Sequence, residues 1–257
     1  MAEVVIVGSA AEAGEIAAAE IAALVTSNPD AVLGLATGST PLTTWQALAA
    51  RSLDLSAVRG FALDEYVGLP DGHPESYRAV ITREVVETLG LTPSRVRVPG
   101  DDGPAQGAGE RYERAIVDAG GIDLQILGIG RTGHIGFNEP GSSLASLTRV
   151  KTLTEQTRID NARFFPTLAD VPTHCITQGL GTILRARHLV LLAFGSAKAP
   201  AIAAALEGPV SASTPGSVVQ LHPRVTVIVD EDAAAGLAHA DYYRYAWDNR
   251  FSWERSS

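Results

Sequence analysis

Short, mostly apolar runs punctuate the chain at residues 4–7, 31–36, 59–63, 124–127, 188–194 and 225–229. A run with no alternating polar face suits a strand buried on both sides, as in a parallel sheet. Between these runs, residues 10–26, 41–50, 75–89, 110–119, 176–184 and 199–207 read as helices. Pro41 is placed as a first helical residue, and the tail from Glu231 also reads as helical. Six strands alternating with helices predict an α/β fold: a doubly wound, mostly parallel sheet in a Rossmann-like three-layer sandwich. No internal repeat or domain-sized linker interrupts the pattern, so residues 1–257 read as a single domain.

The polar clusters fall just after the strands. Thr37-Gly38-Ser39-Thr40 follows the second, Asp64-Glu65-Tyr66 the third, and Gly195-Ser196-Ala197-Lys198 the fifth. In an open α/β sheet such loops gather along one edge, at the carboxyl ends of the strands. Thr37 to Thr40 before a helix can present hydroxyls and backbone N–H groups to an anion, and serves equally well as an ordinary helix cap. Lys198 stands in the first turn of a helix, where the macrodipole disfavours a cation; a ligand phosphate would explain it. Asp64 and Glu65 are adjacent on a strand whose side chains alternate, so only one can face the crevice. One is expected to be functional and the other structural.

The fourth strand empties into the loop GIGRTGHIGFNEPG, with His134, Asn138 and Glu139 among its glycines. This loop is the candidate active site. Gly128, Gly130 and Gly133 spell the dinucleotide-binding pattern GxGxxG, but that motif needs a helix to begin at the third glycine. Asn138, Pro140 and two more glycines stand where the helix would run, so a nicotinamide or flavin role is set aside.

Composition narrows the partners. Hydrophobic residues make up 46% of the chain, which makes it globular, and the net charge is -9 without any basic stripe. Nucleic acid needs clustered Lys and Arg and is excluded as a partner. The single cysteine, Cys175, cannot form an intramolecular disulfide and reads as a small buried residue. Neither a transmembrane run nor a signal peptide is visible, so a cytoplasmic protein without a membrane partner is expected. The polar stretch 142–163, with Arg149, Lys151, Arg158 and Arg163, is unusual in a chain poor in lysine, although a solvated face also fits it. Residues 142–175 are expected to form a mobile or lid segment.

The stretches LGLATGSTPLTTWQAL, FALDEYVGLPDGHPESY, LGIGRTGHIGFNEPGSSLASLTRVKTL, TRIDNARFF and FGSAKAPA resemble the glucosamine-6-phosphate deaminase family, also called isomerases. The resemblance runs from about residue 30 to the strand at 225–229. Asp64-Glu65-Tyr66 and Phe137-Asn138-Glu139-Pro140 set it apart from the related 6-phosphogluconolactonases. It implies conversion of D-glucosamine 6-phosphate and water to D-fructose 6-phosphate and ammonium, with no metal and no organic cofactor. By the same resemblance Asp64 matches the proton acceptor, His134 the base that opens the sugar ring, and Glu139 its partner. Thr37, Gly38, Ser39, Thr40, Arg163 and Lys198 match phosphate-binding groups. Ser142, Arg149 and Lys151 match the allosteric site of hexameric members, which lies between subunits; other members are monomers, so homo-oligomerisation stays open.

Two departures stand out. Thr132 replaces the family's acidic or amide residue two before the histidine, and Leu147 stands where arginine is frequent. Thr132 has only a hydroxyl to orient His134, and Glu139 is expected to suffice. Two other readings keep the phosphate loops: a lactonase-type hydrolase, and a catalytically inactive sugar-phosphate sensor. The absence of a basic DNA-binding segment counts against a sensor of the transcription-regulator kind.

Overall fold

The computed structural model describes residues 3–251; the last residues of the helical tail expected from Glu231 lie outside that range. The chain lays down β1 (Glu3–Val7), β2 (Val32–Leu35), β3 (Arg59–Ala62), β4 (Asp64–Val67) and β5 (Val96–Arg97) in its first half. β6 (Leu124–Gly128), β7 (Arg149–Thr152), β8 (His174–Thr177), β9 (His188–Ala193) and β10 (Val225–Asp230) follow. Seven of them form one sheet in the order β1-β10-β9-β6-β2-β3-β5, and every pairing in it is parallel. All six residues of β9 are buried, as the mostly apolar run requires. Each buried Leu, Ile or Val side chain there contributes about 1.5–3 kcal/mol before conformational entropy is set against it.

Strand order reverses between β2 and β6. From β2 the chain moves outward to β3 and β5, and from β6 it moves the other way to β9 and β10. The crevice at such a switch point is where an open α/β sheet binds its ligand. Here it lies between the loop after β2 and the glycine loop after β6.

The structure departs from the sequence reading in several places. The parallel sheet gains β5, an edge strand of two residues that is too short to show a period. β4, β8 and β7 make a separate three-stranded antiparallel sheet, so Asp64-Glu65-Tyr66 lies within a strand instead of beyond one. Leu63 is the hinge between sheets: its N–H bonds Leu35 O at 3.0 Å, and its carbonyl accepts from Gln178 N at 2.8 Å. The helix expected over 176–184 is shorter, Leu180–Ile183, because Ile176 and Thr177 belong to β8; their β-branched side chains suit the extended backbone. Pro41 precedes the helix Leu42–Ala49 instead of starting it. The helix expected from residue 75 begins at Tyr77, capped by the Ser76 hydroxyl, and passes through a π-helical turn at Thr82–Val86.

Of the segment 142–175, β7 and the start of β8 are paired strands. The stretch between them carries the helix Glu155–Asn161 and the 3-10 turns Ala162–Phe164 and Leu168–Asp170. Among the described residues, no helix is long and apolar enough to cross a membrane.

Candidate active site

The cleft at the switch point has a volume of about 880 Å³ and is lined by Thr37, Gly38, Ser39, Thr40, Asp64, His134, Arg163 and Lys198, among others. Eight residues predicted from separate stretches therefore meet in one cavity. Thr132 and Glu139 stand behind His134 and do not line it. Gly38 takes a φ of 96°, which lets the loop turn its hydroxyl-bearing neighbours into the crevice before the helix Leu42–Ala49 begins.

The glycine loop folds back on itself. Gly130 N donates to His134 O at 2.8 Å, and Gly133 N to Gly130 O at 3.0 Å. A Cβ on Gly130 would lie 2.2 Å from the His134 ring. This glycine makes room for the imidazole, and no helix starts at the third glycine, in line with the rejection of a dinucleotide site. Nδ1 of His134 lies 2.8 Å from Thr132 Oγ1 and 3.4 Å from Glu139 Oε2. With a carboxylate behind it, Nδ1 carries the proton and Nε2 is left to accept one.

Glu139 is 4% exposed. Burial pushes its carboxyl up, but hydrogen bonds from His134 and Thr157, the charge of His134 and a bond from Thr154 outweigh it and hold the group at about 2. It is therefore a fixed anion. Asp64 behaves in the opposite way. Burial, reinforced by the nearby charge of Glu65 and only partly offset by the Phe137 backbone, raises it to about 8.

The two adjacent acids part as strand alternation requires. Asp64 turns to the cleft. Glu65 accepts from Tyr66 N at 2.7 Å, Tyr77 N at 2.9 Å and Arg78 N at 2.8 Å, holding the start of a helix. Beneath Asp64, Tyr66 contacts Tyr77, Phe137 and Phe165 at ring separations of 4.9, 5.7 and 5.7 Å. This aromatic cluster is the small sheet's own core.

Lys198 follows β9 in a 3-10 turn, and its Nζ donates to Ile129 O at 2.7 Å. Burial, then the charge of Arg131, lowers its pKa; Asp160 works against this and Arg163 adds to it. Arg163 lies with its guanidinium 4.7 Å over the Phe164 ring. Arg131 and Asp160 also line the cleft and form an ion pair with each other. Sequence reasoning missed both. Arg131 had a signal, a cation inside the glycine loop, whereas Asp160 had none.

Ser142, Arg149 and Lys151 are not brought into the cleft. Arg149 Nη1 donates to Asn138 Oδ1 at 2.7 Å, and Asn138 in turn bonds Ile135 O and Gln178 O. Among the described residues the buried Ser142 hydroxyl has no hydrogen-bond partner, and Lys151 lies partly exposed on the edge strand β7. Cys175 is buried, and burial raises its thiol pKa. Among the described residues, no group of three or more His, Cys, Asp or Glu side chains is placed to hold a metal ion.

A proton-transfer carboxyl, an imidazole backed by a carboxylate and a cation-rich anion cradle can carry out acid–base chemistry on an anionic small molecule. Comparison with known proteins gives that chemistry a context. Residues 8–228 match the family described as glucosamine-6-phosphate isomerases/6-phosphogluconolactonase. A glucosamine-6-phosphate deaminase of Bifidobacterium longum is 61% identical over 99% of both chains. One of Pseudarthrobacter chlorophenolicus is 58% identical over 98% of this chain and 99% of its own. The solved structure of a monomeric glucosamine-6-phosphate deaminase superposes with a TM-score of 0.88 at 40% identity, covering 91% of this chain and 99% of that one. A 6-phosphogluconolactonase from Trypanosoma brucei, at 19% identity and a TM-score of 0.73, shares the fold.

Proposed function

The chain belongs to the family of glucosamine-6-phosphate isomerases and 6-phosphogluconolactonases, and we propose that its cleft carries out the deaminase reaction of that family. It converts D-glucosamine 6-phosphate and water to D-fructose 6-phosphate and ammonium, a step of amino-sugar catabolism. A phosphorylated sugar does not cross membranes unaided, so the enzyme works where its substrate is made, in the cytoplasm.

Thr37 to Thr40, Lys198 and Arg163 hold the phosphate, an electrostatic task that a locally positive cleft performs on an acidic protein. Nε2 of His134 takes the proton of the C1 hydroxyl and returns it to the ring oxygen, opening the pyranose. Glu139 and Thr132 keep its Nδ1 protonated and the ring oriented. Asp64, as carboxylate, removes the C2 proton to give an enolamine and delivers a proton to C1. Water then adds to the resulting C2 imine and ammonia leaves. One base beside two adjacent carbons suffices for the shift, and no step calls for a metal or organic cofactor. Residues 142–175 act as a lid over the cleft, with Thr157, Asp160 and Arg163 on its inner side. Ser142, Arg149 and Lys151 lie outside the cleft and match, by resemblance alone, the inter-subunit allosteric site of hexameric members.

The observation that carries this reading is the placement of Asp64 and His134 in one cavity with Lys198 and Arg163. Ammonium release from glucosamine 6-phosphate by the purified chain tests it. Turnover with stoichiometric fructose 6-phosphate is expected. Hydrolysis of 6-phosphogluconolactone without ammonium release would assign the lactonase reaction instead.

A further inference from the structure

Glu139 has two carboxylate oxygens with different duties. Oε2 faces the catalytic side, 3.4 Å from His134 Nδ1 and 3.5 Å from Thr132 Oγ1. Oε1 faces the helix Glu155–Asn161, where it accepts a hydrogen bond from Thr154 Oγ1 at 3.2 Å and a short one from Thr157 Oγ1. The two threonines lie at the start of that helix, in the lid segment, and are far from Glu139 in the loop that follows β6.

Helix capping does not explain this arrangement. Thr154 is the N-cap, and its oxygen accepts from Thr157 N at 3.2 Å, which leaves its hydroxyl proton free to donate. Thr157 occupies the third helical position, where a capping box would place Glu or Gln reaching back to the cap. A threonine there is too short to reach back to the cap's N–H, although its Oγ1 lies 3.1 Å from the Thr154 hydroxyl. Its side chain is 3% exposed and it borders the cleft. A buried hydroxyl costs free energy unless it is bonded, and an apolar residue of the same shape would pack as well. The hydroxyl donates to Glu139, a charged acceptor.

A carboxylate gripped at one oxygen cannot swing about its Cγ–Cδ bond. The grip therefore decides where the second oxygen points. The same helix is tied to the glycine loop at a further point, through Asp160 and Arg131, and the turn after it bears Arg163. The one helix thus both holds the group behind His134 and carries, in the turn after it, Arg163 at the cleft.

We infer that Thr157, assisted by Thr154, is a positioning residue for ring opening: its hydroxyl holds the Glu139 carboxylate in the orientation that reaches His134. The inference rests on the deaminase reading of the cleft. It goes beyond that reading by assigning part of the ring-opening machinery to the helix Glu155–Asn161.

The test compares Thr157→Val, which keeps the shape and removes the hydroxyl, with Thr157→Ser, which keeps the hydroxyl. Thr157→Ala takes the place of the valine variant if that one does not fold. The readouts are kcat and KM for ammonium release, and Ki for the open-chain alditol 2-amino-2-deoxyglucitol 6-phosphate, whose binding needs no ring opening. Loss of the hydroxyl is expected to lower kcat by about tenfold or more with KM and Ki within about threefold, and serine to restore kcat to within about threefold. Wild-type kcat in the valine or alanine variant would overturn the inference. So would a Ki that rises in step with the loss of kcat, because that pattern marks general damage to the lid. An inactive wild-type chain would instead overturn the deaminase reading itself.

Discussion

The hydroxyl of Thr132 stands 2.8 Å from Nδ1 of His134, closer than the Glu139 carboxylate oxygen at 3.4 Å. The residue that looked deficient in the sequence is the nearer neighbour of the imidazole. Thr132 Oγ1 also lies 3.5 Å from Glu139 Oε2, so the three groups form one small triangle. Of the two side chains beside Nδ1, only Glu139 is a carboxylate. Glu139→Gln is therefore expected to lower kcat by about a hundredfold, the low end of the usual range for acid–base groups, and Thr132→Val by only about tenfold. Thr132→Asp should change kcat by less than about threefold, because a second anion beside Glu139 adds repulsion along with orientation. Steady-state ammonium release measures all three. Equal losses in Thr132→Val and Glu139→Gln would transfer the orienting role to the hydroxyl.

Asp64→Asn removes the base but keeps its shape. Turnover should vanish while the open-chain alditol still binds, and solvent-deuterium exchange at C1 of fructose 6-phosphate should stop. Exchange at the wild-type rate would remove Asp64 from the role.

The same substitution has a stability signature. The folded-state value of Asp64 is raised to about 8 from an ordinary 3.8, chiefly by burial. A carboxyl raised in this way stabilises the fold most below its unfolded value, and the contribution fades as pH climbs through the folded one. Ionised Asp64 thus strains the native state in alkali. Asp64→Asn is expected to raise Tm near pH 9 by roughly 4–8 °C, corresponding to about 2 kcal/mol in a chain of this size, and by much less near pH 5. Thermal melts at the two pH values check the difference.

Catalysis should follow that ionisation in the opposite sense. The base must be a carboxylate, so kcat/KM of the free enzyme is expected to rise with pH through about 8. A pH–rate profile that is already flat from about pH 6 upward would place the base elsewhere.

Lys198→Ala and Arg163→Ala should act on binding. The phosphate does not react, so their contacts serve ground and transition state alike. Each charge-assisted contact contributes about 1.5–3 kcal/mol, which corresponds to roughly a ten- to a hundredfold rise in KM with kcat less affected. An unchanged KM in both variants would reduce them to surface charges.

The sequence by itself was sufficient for six of the seven strands of the main sheet and for the set of loops along its edge. Residues 189–194 are an unbroken apolar run and 225–229 are interrupted only by Thr226, and the period of such a run is local information that needs no knowledge of partners. The separation of Asp64 from Glu65 was legible for the same reason, since alternation is a property of any strand. The small sheet was not legible. β4, β7 and β8 are four residues each and mix polar with apolar positions, so their identity comes from pairing, such as Tyr66 opposite Cys175. The contacts that finish the site were equally hidden. Thr157 lies 18 residues from Glu139, and Arg131 29 from Asp160, with nothing in the intervening sequence to bring either pair together. Only the packing of the helix Glu155–Asn161 against the glycine loop decides those contacts, because a side-chain hydrogen bond forms where two separately folded backbones deliver donor and acceptor to the same place.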